Sequence, residues 1–88
     1  MAARTHLPLI TQREDEILLL SANRMLEIAL LAFPNDVRNM AIRIAQMYLI
    51  LRSICRRRLF SEERRQWFDQ KFNDAIRSER IFLLTINA

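Results

Sequence analysis

The chain contains no glycine among its 88 residues and only two prolines. Average usage of about 7% would place roughly six glycines in a chain of this length. Tight hairpins, glycine-rich phosphate loops and dinucleotide-binding turns need glycine for positive φ or for close backbone approach. The composition therefore argues against these motifs and against most small sheet folds. An apolar content of 51% argues equally against a disordered chain. We expect a single all-α domain spanning residues 1–88.

Cysteine and histidine occur once each, as Cys55 and His6. One cysteine cannot form a disulfide within the chain, and these two residues cannot supply the four ligands of a zinc site. A domain this short buries only about 60–65% of its unfolded surface, so its own core gives marginal stability. We therefore expect no metal and no cofactor, and stabilisation by homodimer formation. A lone cysteine also suits a reducing compartment.

Long hydrophobic runs are also missing. The longest uninterrupted apolar run, 28–33, is far shorter than the roughly 18 residues that a membrane-spanning helix needs. The first eight residues, Met1 to Pro8, lack the apolar run of a signal peptide. We expect a soluble, cytoplasmic protein with no membrane partner.

Capping signals and apolar periodicity divide the chain into an arm and three helices. Thr11 and Glu14 have the spacing of a capping box, and the apolar pattern that follows runs to Phe33, just before Pro34. Asn35 and Ser61 are the predicted N-caps of the second and last helices. No helix breaker occurs after residue 80, so that segment reads as continued helix or as an extended tail, and we favour helix. The predicted elements are an extended arm at 1–10 and helices at about 12–33, 36–58 and 62–84.

Two apolar surfaces favour a dimer. The first helix is apolar around most of its circumference, with Arg13, Glu16 and Glu27 on one narrow side, and one neighbouring helix would not cover it. In the second helix, apolar residues recur at the 4-3-4-3-4 spacing of a packing seam. These predicted core or dimer residues are Val37, Ala41, Ile44, Tyr48, Leu51 and Cys55. We expect a long antiparallel helical hairpin plus a shorter third helix, with two copies forming a dimeric four-helix bundle.

Arginine supplies 13 of the 14 cationic residues, and no acidic residue follows Asp36 in the second helix. A polar stripe, broken by Ile50, runs along that helix opposite the seam. Guanidinium groups bind phosphates through a planar fork, and duplex RNA is recognised by its shape, phosphates and 2′-hydroxyls. An ordinary solvated face is the simpler explanation of the same charges. The predicted RNA-binding residues are Arg38, Asn39, Arg43, Gln46, Ser53, Arg56 and Arg57.

The segment from Pro34 to Arg38, Pro-Asn-Asp-Val-Arg, opens a long basic helix. It resembles the same junction in the small RNA-silencing suppressors of insect nodaviruses. The resemblance implies a helical homodimer that binds double-stranded RNA without sequence preference. By this alignment Arg38 matches an arginine of the motif, and Arg57 matches a phosphate-binding arginine near the end of the family's second helix. Asn39 and Ile50 replace basic residues of the family.

Two other functions fit parts of the sequence. The segment from Glu14 to Arg24 is similar to the first helix of dimeric all-helical chorismate mutases, where Arg24 would match a substrate-binding arginine. That family places a lysine just after this helix, whereas the only lysine here is Lys71. We therefore expect no enzyme. The second alternative is a small helical regulator, of the anti-activator or chaperone type, that binds a partner protein through apolar helical surface.

Overall fold

A computed structural model of the chain describes residues 6–31 and 34–87. It contains three helices, α1 (Gln12–Leu30), α2 (Asn35–Cys55) and α3 (Glu62–Ile86). No β-strand occurs in these ranges, although Pro8 and Leu59 form an isolated antiparallel bridge. The predicted all-α class is therefore confirmed. Helix α2 is the central element, because it packs along both α1 and α3. The molecule is elongated, measuring 54 × 19 × 16 Å.

Two of the three helices start at their predicted capping residues. The Oγ1 atom of Thr11 accepts from the Glu14 N–H at 3.0 Å, and the Glu14 carboxylate accepts from the Thr11 N–H at 2.8 Å. This capping box satisfies backbone groups that the first turn of α1 leaves without partners. The Ser61 side chain caps α3, accepting from the Arg64 N–H at 3.1 Å. The prediction of Asn35 as the N-cap of α2 is wrong, because Pro34 holds that position without a side-chain cap and Asn35 is already helical.

The first two helices end earlier than the sequence analysis expects. Leu31 is already extended, with ψ of 163°, so α1 ends at Leu30, and the predicted end at 33 lies outside the described residues. Helix α2 ends at Cys55 rather than near residue 58. The Arg58 carbonyl there accepts from the Leu9 N–H at 2.8 Å, and the Phe60 N–H donates to the Leu7 carbonyl at 2.7 Å. Before this pairing, the Arg58 N–H donates to the Cys55 carbonyl at 3.1 Å, three residues back, so the α-helical pattern has already ended.

The prediction of a shorter third helix is wrong. Helix α3 has 25 residues, against 19 in α1 and 21 in α2. Its last turns continue through the segment that the sequence left ambiguous. Phe82 is buried there, and Leu83 and Ile86 pack against the core. Burial of these apolar groups favours the helix over a solvated tail.

The six predicted core or dimer residues of α2 lie in the core of a single chain. Val37 is partly buried and packs against the core, and the other five are buried: Ala41, Ile44, Tyr48, Leu51 and Cys55. Leu18 and Met25 of α1 and Phe68 of α3 complete the centre of this core. Residues 1–5 of the predicted arm lie outside the described residues. The remainder of the arm is docked, since Leu9 and Ile10 are buried.

Candidate nucleic-acid interface

The outward face of α2 carries the residues predicted to contact RNA. All seven are exposed to solvent: Arg38, Asn39, Arg43, Gln46, Ser53, Arg56 and Arg57. This face results from the helical period, because the buried residues of α2 occupy the opposite side of the same helix. From Asn39 to Ser53 the stripe extends about 21 Å at 1.5 Å per residue. It is therefore a straight line of polar groups open to a large ligand.

The C-terminal end of the stripe leaves the helix. Arg56 is the C-cap of α2 and remains in the right-handed helical region, with its N–H donating to the Arg52 carbonyl. Arg57 lies in the turn that follows, rather than in a helix as the sequence predicts. An open depression of about 320 Å³ lies here, lined by Leu49, Arg52, Ser53, Arg56 and Arg57. The structure thus brings Ser53, Arg56 and Arg57 together.

Arg38 and Arg43 lie apart from that depression. Arg38 is in the second turn of α2 and donates a hydrogen bond to the Asn35 side chain. Arg43 lies at the edge nearest α3, where it borders a second depression with Met40 and Ile81. Ile50, which interrupts the stripe in the sequence, is solvent-exposed. The predicted residues therefore form an extended surface, not a single pocket.

Charge pairing distinguishes the arginines of this face from Arg24, Arg52 and Arg65. The ion pairs in the described part of the chain link Arg24 to Glu79, Arg52 to Asp15, and Arg65 to Glu14 and Asp69. None involves an arginine predicted to contact RNA. Arg43, Arg56 and Arg57 consequently present positive charge that no carboxylate of the described residues neutralises. Such groups are available to bind phosphate.

A buried polar junction joins all three helices beneath this surface. The Glu79 carboxylate of α3 accepts from the Tyr48 hydroxyl of α2 at 2.6 Å and from Arg24 Nε of α1 at 2.7 Å. Burial and the bond to Glu79 raise the pKa of Tyr48 above its ordinary value, and the bond to Glu79 raises the pKa of Arg24. Arg24, the residue that would bind substrate in a mutase, is thus held by a carboxylate of its own chain. The sequence analysis missed Glu79.

Arg65 makes a second junction at the other end of the molecule. Its Nη1 donates to Glu14 Oε1 at 2.9 Å and to the Leu9 carbonyl at 3.2 Å, while its guanidinium lies 5.0 Å from the Phe68 ring centroid. The hydrogen bond from Arg65 lowers the pKa of Glu14 from 4.5 to about 2. The contact ties the N-terminal segment and α1 to α3. The sequence identifies Glu14 as a capping residue but does not predict that Arg65 pairs with it.

The remaining reactive groups of the described residues include no cluster suited to a metal ion. Cys55 is fully buried, and burial raises the pKa of its thiol, which disfavours the reactive thiolate. No group of three or more metal-ligating side chains occurs within the described ranges 6–31 and 34–87. None of the helices described is long and apolar enough to cross a bilayer. The extended arginine surface is the feature best suited to a ligand.

The chain was compared with known proteins at three levels. No protein-family model matches it, and neither a curated protein nor a solved structure shows significant similarity to it. The arguments for function therefore depend on the surface just described.

Proposed function

We propose that the protein binds double-stranded RNA without sequence preference, through the exposed stripe of α2. The observation that carries this proposal is that several arginines without a carboxylate partner lie along one exposed face of α2. The arginines of the stripe have no carboxylate partner among the described residues, whereas Arg24, Arg52 and Arg65 are all paired. Unneutralised arginines along one exposed face release counterions when they meet phosphates, which favours binding to any duplex.

Short polar side chains of the stripe favour RNA over DNA. Asn39, Gln46 and Ser53 lie on the same exposed face as the arginines. The wide, shallow minor groove of an A-form duplex presents 2′-hydroxyls, which amide and hydroxyl groups can bind. A helix face that stays outside the deep major groove reads backbone and shape rather than base sequence. The proposed recognition is therefore sequence-independent.

We further propose that the binding species is a homodimer. Leu19, Leu26 and Leu30 lie at helical spacing on one side of α1 and remain exposed in the single chain. Placing a second copy against this surface would remove it from water and form a four-helix bundle from two α1–α2 hairpins. Each duplex would then meet two α2 stripes. This is the arrangement implied by the resemblance to nodavirus suppressors of RNA silencing, and suppression of silencing in the cytoplasm of a host cell is the role proposed here.

Arginine substitutions test the proposed interface. Arg57→Ala removes an exposed cation that has no structural partner, so folding should be unchanged while affinity for duplex RNA falls for all sequences. Each lost phosphate contact lowers the slope of log K against log salt by about 0.9, so a dimer should lose about 2 in slope. Arg77→Ala is the matched control, because Arg77 is also exposed but lies on α3.

The measurement is fluorescence anisotropy of a labelled RNA duplex across a salt series. Equal affinity and equal slope for Arg57→Ala and wild type would contradict the assignment of this arginine. An equal loss with Arg77→Ala would show that net charge, not the stripe, determines binding.

A further inference from the structure

A second elongated surface lies between α2 and α3, beside the arginine stripe. Three depressions of about 600, 330 and 250 Å³ follow one another along these helices. The first two share Ile54 and Trp67, and the last two share Met47. We call this continuous feature the α2–α3 groove. It extends from Trp67 near the start of α3 to Ile81 near its end.

The two walls of the α2–α3 groove have matching heptad spacing. Met40, Met47 and Ile54 are seven residues apart on α2. On α3, Trp67 and Ile81 are two heptads apart and Asp74 lies between them, so this wall is apolar at its two ends. Apolar residues at this spacing form a seam that another helix can pack against along its length. Met40, Ile54, Trp67 and Ile81 are nevertheless exposed in the single chain. Two such stripes side by side fit one further helix, and methionine adapts to its side chains.

The border of the α2–α3 groove determines the charge of that helix. Four cationic residues line it, Arg43, Arg58, Arg64 and Lys71, against two acidic ones, Glu63 and Asp74. Within the described residues none of these cations forms an ion pair with a carboxylate. Arg58 and Arg64 donate instead to the carbonyls of Ile54 and Leu59. Carboxylates at the flanks of a bound helix would compensate this positive border.

We propose that the α2–α3 groove binds an acidic amphipathic helix of a partner protein. The apolar floor disfavours RNA, whose phosphates would lose water there without gaining ionic partners at the floor. A second copy that docked a different surface here would make a heterologous contact, which gives open filaments unless the rotation closes a ring. The inference can be tested separately from RNA binding, since Arg43 is the one predicted RNA-binding residue that also lines the groove.

Trp67 allows a direct test, because it is the only tryptophan of the chain and lines the groove. The probe is a synthetic three-heptad peptide with leucine at its a and d positions and glutamate at e and g. A charge-swapped peptide carrying lysine at e and g is the control. The glutamate peptide should shift Trp67 emission to shorter wavelength and saturate, and the lysine peptide should bind at least about tenfold more weakly. No shift with either peptide, or equal binding of both, would overturn the proposal.

Matched substitutions on α3 locate the binding surface. Ile81→Lys places a charge in the groove and should weaken peptide binding by about tenfold or more. Leu84→Lys makes the same change at a residue that borders a separate depression, with Arg24 and Arg80, and the exposed fractions are similar, 58% for Ile81 and 68% for Leu84. Leu84→Lys should leave peptide affinity within about twofold. Equal effects of the two variants would overturn the proposal.

Further measurements test whether a second copy of the chain or duplex RNA occupies the α2–α3 groove instead. If circular dichroism shows that Ile81→Lys does not fold, Met40→Lys repeats the test on the opposite wall of the groove. A concentration-dependent Trp67 shift without peptide would assign the groove to a second copy, and an equal shift with duplex RNA alone would assign it to nucleic acid. Either result would overturn the proposal, and neither depends on whether Arg57 contacts RNA.

Discussion

Replacing Glu79 with leucine should destabilise the fold more than its position on a surface helix would suggest. The side chain is only 8% exposed, and its carboxylate accepts hydrogen bonds from Tyr48 and Arg24. Glu79→Leu leaves the buried Tyr48 hydroxyl without an acceptor, which costs about 1–3 kcal/mol. Arg24 is 52% exposed and can regain water, so its lost ion pair adds at most about 1 kcal/mol. We expect a total loss of about 1–4 kcal/mol in the free energy of unfolding.

A second substitution should recover part of this loss. In Tyr48→Phe/Glu79→Leu, no hydroxyl is left without a partner, and replacing both members of a buried hydrogen bond with apolar groups can be nearly neutral. The double variant should therefore be more stable than Glu79→Leu alone. The coupling energy between the two sites should be about 1–2 kcal/mol.

Urea unfolding of wild type, both single variants and the double variant gives this coupling energy. Far-UV circular dichroism follows the loss of helix. If the free-energy changes of the single variants simply add, the Tyr48–Glu79 hydrogen bond does not contribute as argued, and the three-helix junction is not a determinant of stability.

Three further predictions concern acid stability, the thiol and assembly. The folded-state pKa of Glu14 is about 2, below its ordinary 4.5. Ionised Glu14 therefore stabilises the fold above about pH 4.5, and this stabilisation is lost as the pH falls toward 2. The loss should be about 1–2 kcal/mol after allowance for solvent screening, and Glu14→Gln should abolish that part of the pH dependence in urea titrations. Cys55→Ser should cost about 1–2 kcal/mol by burying a hydroxyl, yet keep duplex affinity once folded; lost binding at unchanged stability would instead indicate a reactive thiol. Sedimentation equilibrium at low micromolar concentration should give about twice the chain mass of 10.5 kDa, and Leu26→Glu a folded monomer; a folded wild-type monomer would contradict the dimer.

Local signals predicted the helices, and long-range contacts explain where the sequence analysis failed. The capping box of Thr11 and Glu14 and the N-cap Ser61 involve residues three apart, so the sequence shows them directly. The end of α2 depends instead on backbone pairing with Leu7 and Leu9, which are about fifty residues away in the chain. Periodicity carries no information about such pairing, and α2 was therefore predicted too long.

The same distinction holds for the functional surface. The outward stripe of α2 follows from the helical period, so its exposed arginines could be predicted individually. The carboxylate partners of the other arginines could not be predicted, because Arg24 and Glu79 are separated by 55 residues, and Arg52 and Asp15 by 37. Arg57 was assigned to a helix because no glycine or proline marks the turn after Cys55.

Binding of the wild-type protein to one sequence prepared as duplex RNA, duplex DNA and single-stranded RNA tests the central claim most directly. Gel-shift titrations at two salt concentrations would compare the three ligands. The account predicts tightest binding to duplex RNA and a steep loss of affinity at the higher salt, because phosphate contacts dominate while 2′-hydroxyls provide the preference. Absence of duplex RNA binding at low salt would contradict the account, and the exposed arginines of α2 would then be an ordinary solvated face.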